Sequence, residues 1–276
     1  MLEDDWRVRE LSDSAEILAI LSRDPVYAFY AIGDLDPALA DKSRWVTALD
    51  GGEPVALALH FSGLEPPALF LFGEGQGIAL ILGAVLRPAG AFATFLPGHR
   101  SGLAAYYQVG PEESMIRMVY QARAQTPSPG REVVRLGMAN LGELQRLYRL
   151  QPESVFVPDQ LLNGVYYGAR HEGRLVSAAG THLLSEAYGR AAVGNVFTHP
   201  DYRQRGYAAA CTAAVLDELS PRFAVIALNV GADNAGAIRI YERLGFVEGC
   251  RFLEAPVIRR GVRGAPRRQQ DGLLTT

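Results

Sequence analysis

The segment Asn195-Val196-Phe197-Thr198-His199-Pro200-Asp201-Tyr202-Arg203-Gln204-Arg205-Gly206-Tyr207-Ala208 constrains this chain more than any other. Val196, Phe197 and Thr198 are strand formers, Pro200 cannot donate to a ladder, and an uninterrupted helical pattern runs from Tyr207 to Leu219. The segment therefore reads as a strand, a loop and a helix start. A helix N-terminus presents unpaired N–H groups and partial positive charge, so it favours phosphate oxygens without needing a lysine. Gly206 and the small Ala208 let a ligand approach the backbone, and Arg203 and Arg205 can add charge-assisted hydrogen bonds.

With 276 residues, 49% of them apolar, the chain is long enough for two domains with separate cores. The acidic amino terminus lacks the apolar core of a signal peptide, and no run approaches a membrane-spanning length, so a soluble cytoplasmic protein is expected. Cys211 and Cys250 are too few for a disulfide framework and show no metal-ligand spacing with the five histidines; both read as small buried hydrophobes, with no metal. The net charge of −3 is unevenly divided: residues 1–125 hold 9 basic and 16 acidic groups, residues 126–276 hold 18 and 14, giving −7 and +4. That asymmetry suits a polyanionic small molecule on the carboxyl-terminal half. Five of its arginines, Arg259, Arg260, Arg263, Arg267 and Arg268, fall in a terminal tail without aromatic residues, which reads as disordered and not as a nucleic-acid site.

Residues 121–130 are small, polar and rich in turn formers, and mark the boundary between domains at 1–125 and 131–276. After it the pattern predicts a strand at 133–136 and a helix at 141–150 capped by Asn140, with Glu143 completing a capping box. A short helix near 158–162 precedes a three-stranded meander over 165–198. Next come the helix at 206–219, a strand at 223–230 buried on both faces, a helix at 234–244 and a last strand or hairpin at 247–257. The order β-α-α-β-β-β-α-β-α-β describes an α/β fold, a mixed sheet flanked by helices. A fainter copy of it runs through the first half, whose own turn-to-helix segment, residues 73–78, has no arginine and carries Glu74 where phosphate would be repelled. That half is expected not to bind the same ligand, and a Rossmann reading of its glycines fails on spacing.

A second motif, Leu228-Asn229-Val230-Gly231-Ala232-Asp233-Asn234-Ala235-Gly236-Ala237-Ile238-Arg239-Ile240-Tyr241-Glu242-Arg243-Leu244-Gly245-Phe246, follows the first at a telling distance. Together they resemble the GNAT N-acetyltransferase superfamily, in which an Arg/Gln-x-x-Gly-x-Gly/Ala loop binds acyl-coenzyme A and a later Asn-x-x-Ala-(x)3-Tyr-(x)3-Gly-Phe helix completes the site. The resemblance covers roughly residues 131–257 and implies two tandem GNAT-like copies, the first degenerate. It implies that the backbone of Val196, Phe197 and Thr198 pairs with the pantetheine arm and that the N–H groups of Arg203, Gln204, Arg205, Gly206, Tyr207 and Ala208 cradle the pyrophosphate. Asn234 and Ala237 would contact the cofactor, and Tyr241 would be the general acid that protonates the departing thiolate.

Each assignment has a plainer counterpart. Asn234 stands where an ordinary N-cap would, Tyr241 could be packing, and Arg203 and Arg205 could be solvated charges. His199 reads as a loop residue and His182 as a structural histidine. Many family members carry a glutamate on the strand before the loop, whereas this strand reads Ala191-Ala192-Val193-Gly194-Asn195; the proton acceptor is left open among water, His182 and Glu186. The resemblance therefore implies an acetyl-coenzyme A dependent N-acetyltransferase acting on a small-molecule or peptide amine, with neither nucleic acid nor membrane as partner. The alternative is a non-catalytic acyl-coenzyme A sensor. Pairing of two copies into a homodimer stays open.

Overall fold

The computed structural model describes residues 6–121, 133–151 and 156–261. All of the expected linker but Gln121, and Arg263, Arg267 and Arg268 of the expected tail, lie outside the described residues. The chain forms two compact units, one of residues 1–116, 231–233 and 250–276, the other of residues 117–230 and 234–249. Neither unit is a continuous stretch of sequence, so the cut expected at 125/131 does not by itself divide the contacts.

The first unit begins with β1 (Arg7–Leu11), α1 (Ser14–Leu21) and α2 (Phe29–Gly33). Next come β2 (Ser43–Asp50), β3 (Glu53–Phe61), β4 (Ala68–Gly73), α3 (Gly75–Ala84), β5 (Gly90–Phe95), α4 (Arg100–Tyr106) and β6 (Tyr107–Val109). β1 to β4 pair antiparallel in sequence order, and β5 adds parallel to β4. Val46, Ala48, Ala56, Ala58, Leu69 and Leu71 alternate inward along these strands, against Ile78, Ile81 and Leu82 of α3. β6, three residues long, is too short to show the alternation that predicted the other strands.

β7 (Glu113–Tyr120) enters the second unit at residue 117. That unit continues through β8 (Val133–Arg135), α5 (Leu141–Tyr148), α6 (Pro158–Asn163), β9 (Tyr167–His171), β10 (Arg174–Ser185) and β11 (Arg190–Thr198). It ends with α7 (Tyr207–Leu219), β12 (Val225–Gly231), α8 (Ala235–Arg243) and the start of β13 (Phe246–Arg259). This is the expected order. β8, β9, β10 and β11 pair antiparallel as a meander, and β12 joins β11 in parallel. Leu144, Leu147 and Tyr148 of α5 bury one helical face against Ala178 and Phe197 of the sheet.

The last strand belongs to both units. Residues 246–249 of β13 count with the second, whereas residues 253–258 pair antiparallel with β5 of the first and residues 257–259 with β6.

Three local expectations are corrected. Asn140 does not cap α5: its Oδ1 accepts from the Gly137 N–H (3.1 Å) and its Nδ2 donates to Glu143 (3.3 Å), so it closes the short 3-10 turn before the helix. Arg259 and Arg260 are not tail: Arg259 Nη1 donates to the carbonyl of Leu82 (3.1 Å), and the Arg260 N–H donates to the carbonyl of Tyr106 (2.9 Å). Cys211 is buried, and burial pushes its thiol up to about 12, but Cys250 is only half-buried.

Candidate active site

The sheet of the second unit opens between β11 and β12. These parallel strands pair only at residues 190–192 against 225–227. Past that point β11 stays paired to β10 through Phe197 and Thr198, while its edge toward β12 has no strand partner among the described residues. An unpaired strand edge offers N–H and C=O groups to any extended, amide-bearing chain. Val196, Phe197 and Thr198 lie on this edge, held from beneath by the buried Phe197 ring in the core with Leu147 and Tyr148.

A bulge bends β11 at the opening. Ala178 faces Phe197 and Gly180 faces Gly194, so Asn195 and Val196 stand against Ala179 alone. Asn195 takes a left-handed φ of +50°, a conformation that asparagine tolerates better than most residues. Four groups hold it there. The Tyr148 hydroxyl donates to its carbonyl, and its Nδ2 donates to the Tyr166 hydroxyl (2.6 Å) and to Gln160 Oε1 (3.0 Å). The His182 side chain also hydrogen-bonds to it. This network was invisible in the sequence, because its members come from α5, α6, the segment before β9, and β10.

At the end of β11, His199 caps a 3-10 turn over Pro200–Tyr202: its Nδ1 accepts from the Asp201 N–H and its Nε2 meets the Arg174 guanidinium (3.2 Å). Gln204 (φ +60°) and Gly206 (φ +79°) then turn the chain into α7. No side chain caps α7, and a Cβ placed on Gly206 would meet nothing within 4 Å, so the helix start stands open to an anion. Arg203, Gln204 and Arg205 are exposed there. Arg203 Nε donates to the Thr198 carbonyl (3.3 Å), and the Arg205 guanidinium lies 5.4 Å above the Tyr202 ring, which poses both charges beside the loop. Tyr207 is buried, its hydroxyl 3.1 Å from His171 Nδ1, while Ala208 is half-buried.

Asn234 behaves as the plainer reading has it: Oδ1 accepts from the Ala237 N–H (3.1 Å) as an N-cap of α8. Tyr241 is 8% exposed, its ring edge against Phe246, and its hydroxyl makes no hydrogen bond among the described residues. Burial pushes its phenol up to about 12, so it holds its proton throughout the neutral range and has that proton to give. On β12, Asn229 Oδ1 accepts from Arg117 Nε (3.0 Å); Arg117 is 2% exposed, a buried cation that sequence patterning did not single out.

The two side chains among the alternatives for the proton acceptor separate cleanly. Glu186 is exposed and bound to Arg222 (2.6 Å), just past Ser185, which pairs with Arg190 at the closed end of the β11–β12 pair. His182 is the extra residue in a second bulge, between Thr181 facing Val193 and Leu183 facing Ala192. Its ring lies flat over Gly194: a Cβ there would come within 2.4 Å of ring carbons.

The first unit has a similar opening that its own side chains fill. β4 and β5 pair at residues 68–70 against 92–94 and then part. Into the gap the Tyr27 hydroxyl donates to the Leu71 carbonyl (2.7 Å), and His99 bridges the two sides, its Nδ1 accepting from the Leu96 N–H (3.2 Å) and its Nε2 donating to the Gly73 carbonyl (2.8 Å). The start of α3 is covered as well, since a Cβ on Gly75 would fall 2.5 Å from the Gly98 carbonyl oxygen. A pocket of about 270 Å³ beside Tyr27, Phe72 and Leu96 remains, smaller than most small-molecule sites.

Residues 138–246 match the Acetyltransferase (GNAT) family. This segment is a GNAT domain. Over 97 residues the chain is 32% identical to the [Ribosomal protein bS18]-alanine N-acetyltransferase of Escherichia coli strain K12, a match covering 35% of this chain and 64%, less than two thirds, of that relative. A GCN5-related N-acetyltransferase from Sphaerobacter thermophilus superimposes over 95% of this chain and 98% of its own, with a TM-score of 0.60 at 17% identity. A tandem GNAT protein from the clavulanic acid biosynthesis pathway superimposes over 94% and 100%, with a TM-score of 0.53 at 14% identity. Those last two likenesses concern the fold, and they extend it across both units. Among the described residues no His, Cys, Asp or Glu cluster is arranged to hold a metal, and no helix is long and apolar enough to cross a membrane.

Proposed function

We propose that the chain is an N-acetyltransferase that binds acetyl-coenzyme A in the β11–β12 opening of its GNAT domain and transfers the acetyl group directly to an amine. The observation that carries this reading is the coincidence of an unpaired β11 edge with an uncapped, open α7 start at its mouth. The edge at Val196, Phe197 and Thr198 suits the two amides of a pantetheine arm. The N–H groups from Arg203 to Ala208 suit a pyrophosphate, with the Arg203 and Arg205 guanidiniums beside it. Asn234 and Ala237 begin the helix that brings Tyr241, the proton donor to the departing thiolate. Proximity supplies much of the rate, because the bound thioester and amine react as one molecule.

The similarity to a [Ribosomal protein bS18]-alanine N-acetyltransferase supports the choice of acceptor class. A peptide or protein amino terminus heads the candidates, small amines come next, and a cytoplasmic setting accompanies that choice. The first unit serves as scaffold and takes no acyl-coenzyme A, because Tyr27 and His99 already use the backbone groups a pantetheine arm would need. Incubation with labelled acetyl-coenzyme A and an amine panel that includes an alanine-initiated peptide tests the activity. Calorimetry that finds no acetyl-coenzyme A binding rejects it.

A further inference from the structure

The geometry points to His182 as the general base that takes the proton from the attacking amine, a role that rests on the acetyltransferase reading above. The strand that lacks a carboxylate is also the strand where an imidazole from its neighbour lies over a glycine. Gly194 has no side chain, and His182, displaced outward by its bulge, fills the volume a side chain there would use. The residue is exposed, so an acceptor can reach it. Gly194, which it covers, is next to Asn195, where β11 bends at the mouth of the opening. Gly180 is the cross-strand partner of Gly194, and the Tyr166 ring covers it as His182 covers Gly194. Partners in a ladder share a face, so His182, Tyr166 and the Asn195 amide lie together on one side of the sheet. Gln160 of α6 reaches the same amide, so α6 borders this cluster.

The protonation state fits the task. The protein on the covered side of the ring disfavours the imidazolium and lowers its pKa, while the hydrogen bond with Asn195 pulls less strongly the other way. The groups that face it, Tyr166 before β9, Gln160 on α6 and Asn195 on β11, are neutral, and no charged side chain among the described residues contributes to the shift. A neutral imidazole with one nitrogen turned to Asn195 keeps a lone pair on the other. The amine nitrogen forms its bond to the thioester carbon as His182 removes one N–H proton. The carbon–sulfur bond then breaks, the thiolate takes the Tyr241 proton, and the imidazolium returns a proton to the phenolate through water. One amide and one thiol result, with no net change at either residue.

The test compares wild type, His182→Gln, His182→Ala and Gly194→Ala as full-length chains, with acetyl-coenzyme A and the amine panel. We expect kcat to fall by about 10²- to 10⁴-fold in both His182 variants, as loss of a general base does, with acetyl-coenzyme A affinity by calorimetry unchanged. The acidic limb of the wild-type pH–rate profile, with an apparent pKa below the ordinary histidine value, should disappear. Added imidazole should restore part of the His182→Ala rate but not that of Gly194→Ala, whose histidine is displaced and still present. Wild-type transfer with unaltered rate and pH profile in the His182 variants overturns the assignment alone. A wild type that binds acetyl-coenzyme A and acetylates no amine overturns both this role and the transferase reading.

Discussion

Tyr241 and Asn195 illustrate how differently single residues announce themselves. Tyr241 stood in a spaced motif, and the structure gives its phenol the burial that keeps it protonated. Tyr241→Phe should lower kcat by about two orders of magnitude or more while leaving acetyl-coenzyme A affinity intact, a split that steady-state kinetics and calorimetry measure together. A sensor would lose nothing in the same comparison. Asn195 and His182 carried no such signal. Their geometry depends on two bulges, and a bulge shifts register by a residue without leaving a mark in periodicity. The glycine at 194 was legible as a missing carboxylate, but the imidazole that covers it comes from another strand.

At the scale of elements, periodicity did most of the predicting. The α5 face of Leu144, Leu147 and Tyr148 and the apolar run of β12 declared themselves, whereas Asn140 misled because a capping side chain can turn back as readily as forward. Glu143, expected to complete a capping box, instead ties α5 to β9: Arg170 holds it by two hydrogen bonds of 2.6 and 2.8 Å, which bring its carboxyl down to about 2. A carboxylate with a depressed pKa stabilises the fold above its unfolded value, near 4.3, and loses that contribution as pH falls toward 2. Glu143→Gln should therefore cost about 1 kcal/mol at pH 7. Denaturant titrations of variant and wild type should converge as pH approaches 2; a constant gap would deny the ion pair its role. The opening between β11 and β12 was foreseen only through the family resemblance, since the sequence of two strands does not say where they part.

For the whole molecule, duplication was legible in the repeated order of elements, and the division of the last strand between the units was not. Pairing partners more than 150 residues apart leave no local trace. The consequence for ligand binding is a stoichiometry: calorimetry should find one acetyl-coenzyme A per chain, and Tyr27→Phe should leave that number at one, since His99 still bridges the gap. The consequence for dissection is sharper. A fragment of residues 131–276 lacks residues 117–120 of β7 and carries the last strand without its β5 partner, so it should aggregate or unfold. Cleavage within residues 122–132 of the intact protein should instead leave two pieces that co-elute in gel filtration.

The shared last strand also sets a schedule on the ribosome. β5 is complete at Phe95, yet the residue that pairs with it, Leu253, is made about 160 residues later. At roughly 5–20 residues per second, that edge waits on the order of ten to thirty seconds for its partner. Through that interval the first unit is a sheet with an open flank, and its chance of meeting another nascent chain depends on how quickly the message is read.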